Sequence, residues 1–412
     1  MTLRLLALFL AAFLSAGASP AATDISTDDA KRLARSSNAF GIDVYRRLAK
    51  RPGNLVFSPA SVSTGLAMPW GGARGDTAAE MKRVLRFDAE PAPIMAASGK
   101  LAASLRDAAQ PSVIRIANRL FGEQTFRFDP AFIEATRRAY GASLEPVSFR
   151  RGPEEARAII NRWVEAQTEQ RIRDLLPPEA VDDTTSLVLV NAIYFLGEWE
   201  QRFAKVATRP APFHVSKTDR KDVPMMHHSA IFRFARLEGY GALELRYQAG
   251  TLSMLLVLPD AVDGLAAFEQ SLTEERLEAI VQALRQPVVK VDVALPSFQL
   301  SPVASLSLRG ILAAMGMPAA FDPSRADFTG IASPVSAQQR VVIRDVFHKA
   351  FVRVDEKGTE AAAATGGVSR FVSAEPPAGP TFNVDHPFLF LIRHNASGLV
   401  LFIGRVADPS AN

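Results

Sequence analysis

Near the end of the chain, three stretches of very different character follow one another, and their order limits the folds open to it. Residues 341–354 alternate in the manner of a strand, and the alternation stops at Asp355. From 358 to about 380 the residues are small and mostly uncharged, with Ala361, Ala362, Ala363 and Ala364 in an unbroken run. Beyond them the sequence turns strongly apolar again. Residues 388–392 and 399–403, separated by polar 393–398, read as a buried hairpin. Structureless segments longer than about 12–15 residues are uncommon in compact domains and are usually functional or disordered. An Ala/Gly-rich linker would leave the strand before it and the hairpin behind it unexplained. The expectation is an exposed loop whose first half has so little bulk, charge and side-chain entropy that it can later be buried as a strand.

The run leading into this loop places Val346, His348, Ala350, Val352 and Val354 on one face and Phe347, Lys349, Phe351 and Arg353 on the other. A histidine thus sits on an apolar face, where a hydrogen-bonded core role is expected in preference to a catalytic one. Upstream, residues 27–50 predict a helix capped by Thr27 or Asp28, and 60–68 a second helix after the break at Phe57-Ser58-Pro59. Helices are also predicted at 76–86, 94–108, 129–140, 153–173, 264–285 and 303–315, and strands at 112–121, 186–195, 252–258 and 288–295. The mixture indicates an α+β protein with large sheets.

Composition excludes several function classes. Forty-eight per cent hydrophobic and 22% charged residues are ordinary for a globular chain with a sizeable core. The net charge of +4 comes from 47 basic and 43 acidic residues without a run of like charges, which argues against a nucleic-acid surface. With no cysteine, disulfides, thiol nucleophiles and thiolate metal sites are impossible. Arg4, an apolar core from Leu5 to Leu14 and Ala16-Gly17-Ala18 read as an export signal over residues 1–18, leaving 19–412 as one domain. Ten apolar residues are too few to span a bilayer, which needs about 20. No membrane span is therefore expected, and the localisation predicted is secreted or periplasmic. Neither a Gly-x-Ser-x-Gly elbow nor a His-Glu-x-x-His motif is present, and His227 and His228 point to opposite faces of a strand. No enzyme, metal or cofactor is expected.

A set of motifs, in order and at the right spacing, is more specific. Asn54-Leu55-Val56-Phe57-Ser58-Pro59-Ala60-Ser61-Val62 comes first. Leu144-Glu145-Pro146-Val147-Ser148-Phe149, Ile160-Asn161-Arg162-Trp163 and Ile172-Arg173-Asp174-Leu175-Leu176-Pro177 follow. Then come Asn191-Ala192-Ile193-Tyr194-Phe195-Leu196-Gly197-Glu198-Trp199, Val223-Pro224-Met225-Met226 and Asp327-Phe328-Thr329-Gly330-Ile331. Asp385-His386-Pro387-Phe388 with Phe402-Ile403-Gly404-Arg405 closes the set. With these blocks the chain resembles a serpin over nearly everything after residue 18.

The resemblance implies a serpin fold of three β-sheets, eight or nine helices and an exposed reactive-centre loop at about 356–380. It implies a suicide inhibitor that is cleaved by a serine protease and traps it as the loop inserts into the main sheet; serpins are themselves a standard example of such strand addition. Glu356, Gly358, Thr359 and Ala361 to Ala364 match the hinge, with Thr365 at its far end. The reactive bond falls between Val372 and Ser373, with Phe371 and Arg370 as alternative residues before the cut. Valine there suits an elastase-like protease, phenylalanine a chymotrypsin- or subtilisin-like one, and arginine a trypsin-like one. Ser58, Ser61, Asn191 and His348 match the polar shutter under the centre of the sheet, and Trp199 the breach where insertion starts. A monomer with a serine protease as its partner is expected. The competing reading is a non-inhibitory serpin acting as a carrier or chaperone-like binding protein. No helix carries a dense basic row, although Arg46-Arg47 and Arg137-Arg138 leave a weaker anion contact open. Asn395-Ala396-Ser397 is a formal glycosylation sequon. The Ala- and Arg-rich, cysteine-free sequence points to a bacterial source.

Overall fold

A computed structural model describes residues 26–108, 112–141, 144–333, 340–359 and 379–411. The predicted signal segment and the loop residues Ala361 to Ala364, Arg370, Phe371, Val372 and Ser373 lie outside the described residues.

Nine α-helices form among the described residues, several with a local cause. In α1 (Thr27–Leu48) the cap is Ser26, whose hydroxyl accepts from Asp29 N, and not Thr27 or Asp28 as expected. Ser58 caps α2 (Pro59–Gly72) by accepting from Ser61 N, with Pro59 in the first turn, where its missing N–H costs nothing. This helix is buried nearly all round and runs through the middle of the molecule. Next come α3 (Gly75–Val84), α4 (Pro91–Ala108) and α5 (Pro130–Tyr140), the last capped by Asp129 and stopped by Gly141 at φ 69°. Helix α6 (Pro153–Gln167) ends earlier than the predicted 173. The Thr168 hydroxyl bonds back to Val164 O, and Glu169 and Gln170 turn into the left-handed region. The predicted helix 264–285 is two helices, α7 (Leu265–Gln270) and α8 (Glu274–Ala283). Ser271 bonds back to Phe268 O and Thr273 caps the next start. Of the predicted 303–315 only α9 (Arg309–Met315) is helical, because Leu306–Ser307 pairs as a strand and Asp345 caps the helix from a neighbouring strand.

The strands, in chain order, are β1 (Leu55–Phe57), β2 (Val113–Glu123), β3 (Glu145–Val147), β4 (Leu187–Glu198), β5 (Arg209–His214), β6 (Arg220–Leu237), β7 (Tyr240–Arg246) and β8 (Leu252–Pro259). They continue with β9 (Val289–Pro296), β10 (Phe298–Leu300), β11 (Leu306–Ser307), β12 (Ile343–Asp355), β13 (Gly358–Thr359), β14 (Thr381–Asn383), β15 (Phe388–His394) and β16 (Val400–Val406). Periodicity missed β5 and β6, whose exposed positions carry Arg, Lys, Asp and Pro and dilute the apolar alternation, and β7, which is short and buried nearly throughout and so shows no alternation.

The first sheet runs β10-β12-β13-β4-β2-β3. The second, nine-stranded, changes partners along the 18 residues of β6. Residues up to Phe232 pair with β5 and β9, and those from Arg233 on pair with β7. One nine-stranded sheet therefore takes the place of the second and third sheets that the family resemblance implies. The hairpin β15–β16 is buried between β1 and β8, registered from Phe388↔Val406 to Arg393↔Val400.

The first sheet is buried on both faces. On its inner side, Leu189, Ile193, Val346, Ala350, Val352 and Val354 join the main core with α2. On its outer side a second core holds Ala156, Ile160 and Val164 of α6 and the segment after it against Phe121, Val190, Phe347 and Phe351. The predicted division of residues 346–354 into two faces is therefore the observed one. Asn161 ties the segment after α6 in place, donating to Leu176 O at 3.0 Å and accepting from Leu176 N at 2.8 Å.

Candidate functional site: the seam between two parallel strands

Strands β4 and β12 run parallel and pair directly from Ile343↔Leu187 to Phe351↔Tyr194. Above that they part, and the chain has folded its own hinge into the gap. Strand β13 pairs antiparallel with both neighbours: Thr359 with Val354 and Gly197, Gly358 with Asp355 and Glu198. From Val346↔Leu189 upward, beyond a bulge near Ile343, paired positions on β12 and β4 differ by 157, as at His348↔Asn191, and the partners of Thr359 also differ by 157. The gap has opened by one strand without any slip of register.

Four contacts hold the turn into this gap. Trp199 N donates to Lys357 O at 2.8 Å, and its indole N–H donates to Asp355 O at 3.0 Å. Phe203 N donates to Glu356 O at 2.9 Å, and the Thr208 hydroxyl to the Glu356 carboxylate at 2.8 Å. Gly358 is required here. Its φ of 155° and a side chain lying 1.9 Å from Gly197 O would exclude any other residue. Thr359 is fully buried, and its hydroxyl lies 2.7 Å from the Tyr247 hydroxyl. The Tyr247 ring stacks on Trp199, with centroids 4.6 Å apart, and burial drives its phenol pKa far up. Glu356, Gly358, Thr359 and Trp199 thus meet in one place. Tyr247, which sequence reasoning missed, completes it; no motif marks that residue, and tertiary folding alone brings it there.

Lower on the seam, the predicted Ser58, Ser61, Asn191 and His348 also converge, all fully buried. Ser58 N donates to His348 Nε2 at 3.1 Å, so the proton is on Nδ1 and donates to Asn191 Oδ1. The Asn191 amide donates to Ser61 O at 2.6 Å and to Asn118 Oδ1 at 2.5 Å. Asn118 in turn donates to Ser61 O at 3.0 Å. Cross-strand register aligns Asn118, Asn191 and His348 as a polar row over β2, β4 and β12, beneath the start of α2. Burial pushes the His348 pKa down to about 3, so the ring is neutral and works as a fixed donor–acceptor link between β4 and the start of α2. Asn118 was missed, although a polar residue among Ile114, Ile116 and Leu120 on the inner face of β2 is the same signal that marked His348.

Other candidates are turned to local structure. Arg137 and Arg138 both pair with Glu134. The Asn395 amide donates to Gly250 O at 2.9 Å and accepts from the Ser253 hydroxyl, which ties down the sequon. Beyond the loop, His386 is held between Asp385 Oδ1 and Pro259 O, both at 2.7 Å, which anchors the return into β15. No group of three or more metal-ligating side chains occurs among the described residues, and no described helix is long and apolar enough to cross a membrane.

The family model described as "Serpin (serine protease inhibitor)" matches residues 35–409. The chain is a serpin. It is 39% identical over 387 residues to the leukocyte elastase inhibitor of Homo sapiens, covering 92% of this chain and 100% of that one. To the leukocyte elastase inhibitor of Sus scrofa it is 42% identical over the same length and coverage. Among solved structures, uncleaved ovalbumin matches with a TM-score of 0.80 at 32% identity, over 92% of this chain and 100% of that one.

Proposed function

We propose that this serpin is a suicide-substrate inhibitor of serine proteases. The observation that carries the reading is the hinge at the mouth of the seam, paired on both sides and in register with the row below it. A protease that attacks the loop forms an acyl-enzyme. Cleavage frees the loop's N-terminal half, which continues from β13 down between β4 and β12. Insertion exchanges one parallel ladder for two antiparallel ones. Each added backbone hydrogen bond contributes about 1 kcal/mol net, so a dozen residues gain on the order of 10 kcal/mol. That rivals the whole stability of a typical domain, about 5–15 kcal/mol, and the uncleaved form is therefore held kinetically.

Counted in the observed register, the row of Asn191 and His348 falls to residue 365, a threonine. Its hydroxyl can accept from His348 Nδ1 and replace the cross-seam bond that insertion breaks. The run Ala361 to Ala364 between the two threonines offers nothing to obstruct passage.

The reactive bond assigned is Val372–Ser373, with Phe371 and Arg370 as the residues at stake if the register of the cut differs. Valine and the likeness to leukocyte elastase inhibitors both favour an elastase-like target, with chymotrypsin- and subtilisin-like enzymes next. Residues 1–18 are assigned as a cleaved export signal and 19–412 as one inhibitory domain, active as a monomer without cofactor, outside the cytoplasm. Incubation with elastase-, chymotrypsin-, subtilisin- and trypsin-type proteases tests the proposal. An SDS-resistant complex and a released fragment beginning at Ser373 are expected. Clean cleavage by all four classes without a complex would favour the carrier reading.

A further inference from the structure

We infer that Tyr247 is the positioning residue that docks the hinge and sets the register of insertion before any protease arrives; this rests on the insertion mechanism proposed above. Tyr247 lies just past β7 and bridges Trp199 on the partner strand. Its ring is held by two contacts that leave the hydroxyl free: the stack on Trp199 and an edge-to-face contact with Phe195 at 4.8 Å. That rigid, fully buried ring presents one hydroxyl, and among the described residues the group that meets it is Thr359 Oγ1. Two buried hydroxyls satisfy one another, and either left alone would stay desolvated and unbonded.

The pair also selects a register. Side chains alternate along a strand, so a slip by one residue turns the other face inward. A slip one way brings Gly358, with no hydroxyl, to Tyr247; a slip the other way brings Glu360, whose carboxylate would lose its hydration on burial. Thr359 satisfies the phenol without burying a charge. Since Tyr247 is anchored on the Trp199 ring, and Trp199 N and Nε1 hold Lys357 O and Asp355 O, ring and hinge form one unit.

Tyr247→Phe keeps both ring contacts and removes the hydroxyl, and Thr359→Val is its isosteric counterpart. Hydrogen exchange is read at the amides of Trp199 and Phe203, whose acceptors are the hinge carbonyls Lys357 O and Glu356 O. Each variant is expected to speed exchange at these two sites about fivefold, the size of one net hydrogen bond, with no change within β4. The double variant is expected to do no more than either single one. In the protease assay, both variants should raise the stoichiometry of inhibition while association with the protease speeds up, a split that general destabilisation does not produce. Unchanged exchange at both amides, or additive effects in the double variant, would overturn the assignment. Exchange needs no protease, so failure of wild-type chain to trap any protease would count against the inhibitory function and leave the docking result to stand or fall by itself.

Discussion

The absence of cysteine makes the seam open to a direct mechanical test. Ala192 on β4 and Lys349 on β12 are paired neighbours across it. Adjacent strands lie about 4.8 Å apart, so a strand inserted between them sets the two at about 9.6 Å. A disulfide tolerates a Cα separation of at most about 6.8 Å. The oxidised Ala192→Cys, Lys349→Cys variant can therefore hold the closed sheet but not the expanded one. Lys349 gives up two bonds to the carbonyls of Arg173 and Val303, both at the surface, and Ala192→Cys adds one buried sulfur. With an elastase-type protease, the oxidised form should be cleaved in the loop and released, with no SDS-resistant complex. The same sample reduced beforehand should recover trapping, because reduction removes the constraint and nothing else. Single-cysteine variants control for the substitutions. If the oxidised, mass-verified cross-link still traps protease at the wild-type stoichiometry, insertion between β4 and β12 is not the mechanism.

Three further outcomes are expected. Thr359→Arg places an unpaired guanidinium in a fully buried position; this should turn the inhibitor into a substrate, read as a stoichiometry of inhibition that rises without limit, and undiminished trapping would contradict it. Cleavage of the loop should raise the melting temperature by roughly 10 °C or more, from a gain of about 10 kcal/mol spread over the unfolding entropy of a chain this size; an unchanged melt would mean that no energy is stored. His348 binds its proton only near pH 3 when folded but near 6.5 when unfolded. The unfolded state therefore takes up more protons between these values, and stability should fall as pH drops through that window, by on the order of 5 kcal/mol in all. Urea titrations at pH 7 and pH 4 should show His348→Gln with a lower starting stability and a smaller pH loss; an equal loss in both proteins would rule out His348 as its source.

Much of the site could be read along the chain because its parts lie on strands of period two. His348 stands out as a polar residue on an apolar face, and Asn118 carries the same mark on β2. The small residues of the hinge are legible for a different reason: a segment that must enter a sheet cannot carry bulk, and lack of bulk is a property of composition. Helix ends were harder. Where α6 stops and where α7 separates from α8 depend on single hydroxyls: those of Thr168 and Ser271 donate to backbone carbonyls, and that of Thr273 accepts from Arg276 N, in place of solvent.

Composition and alternation by themselves established a cysteine-free α+β chain with a two-faced strand, a loop free of bulk and a buried hairpin behind it. They could not say that β12 lies beside β4, residues 157 apart in sequence, or that the gap above them is already one strand wide. Nor could they supply Tyr247, whose neighbours in sequence carry no pattern and whose hydroxyl acquires its role only against Thr359. Local sequence dictates which face of a strand is apolar, because side-chain direction is set by the backbone. Which strands become neighbours is decided by long-range burial, and that belongs to the folded molecule alone.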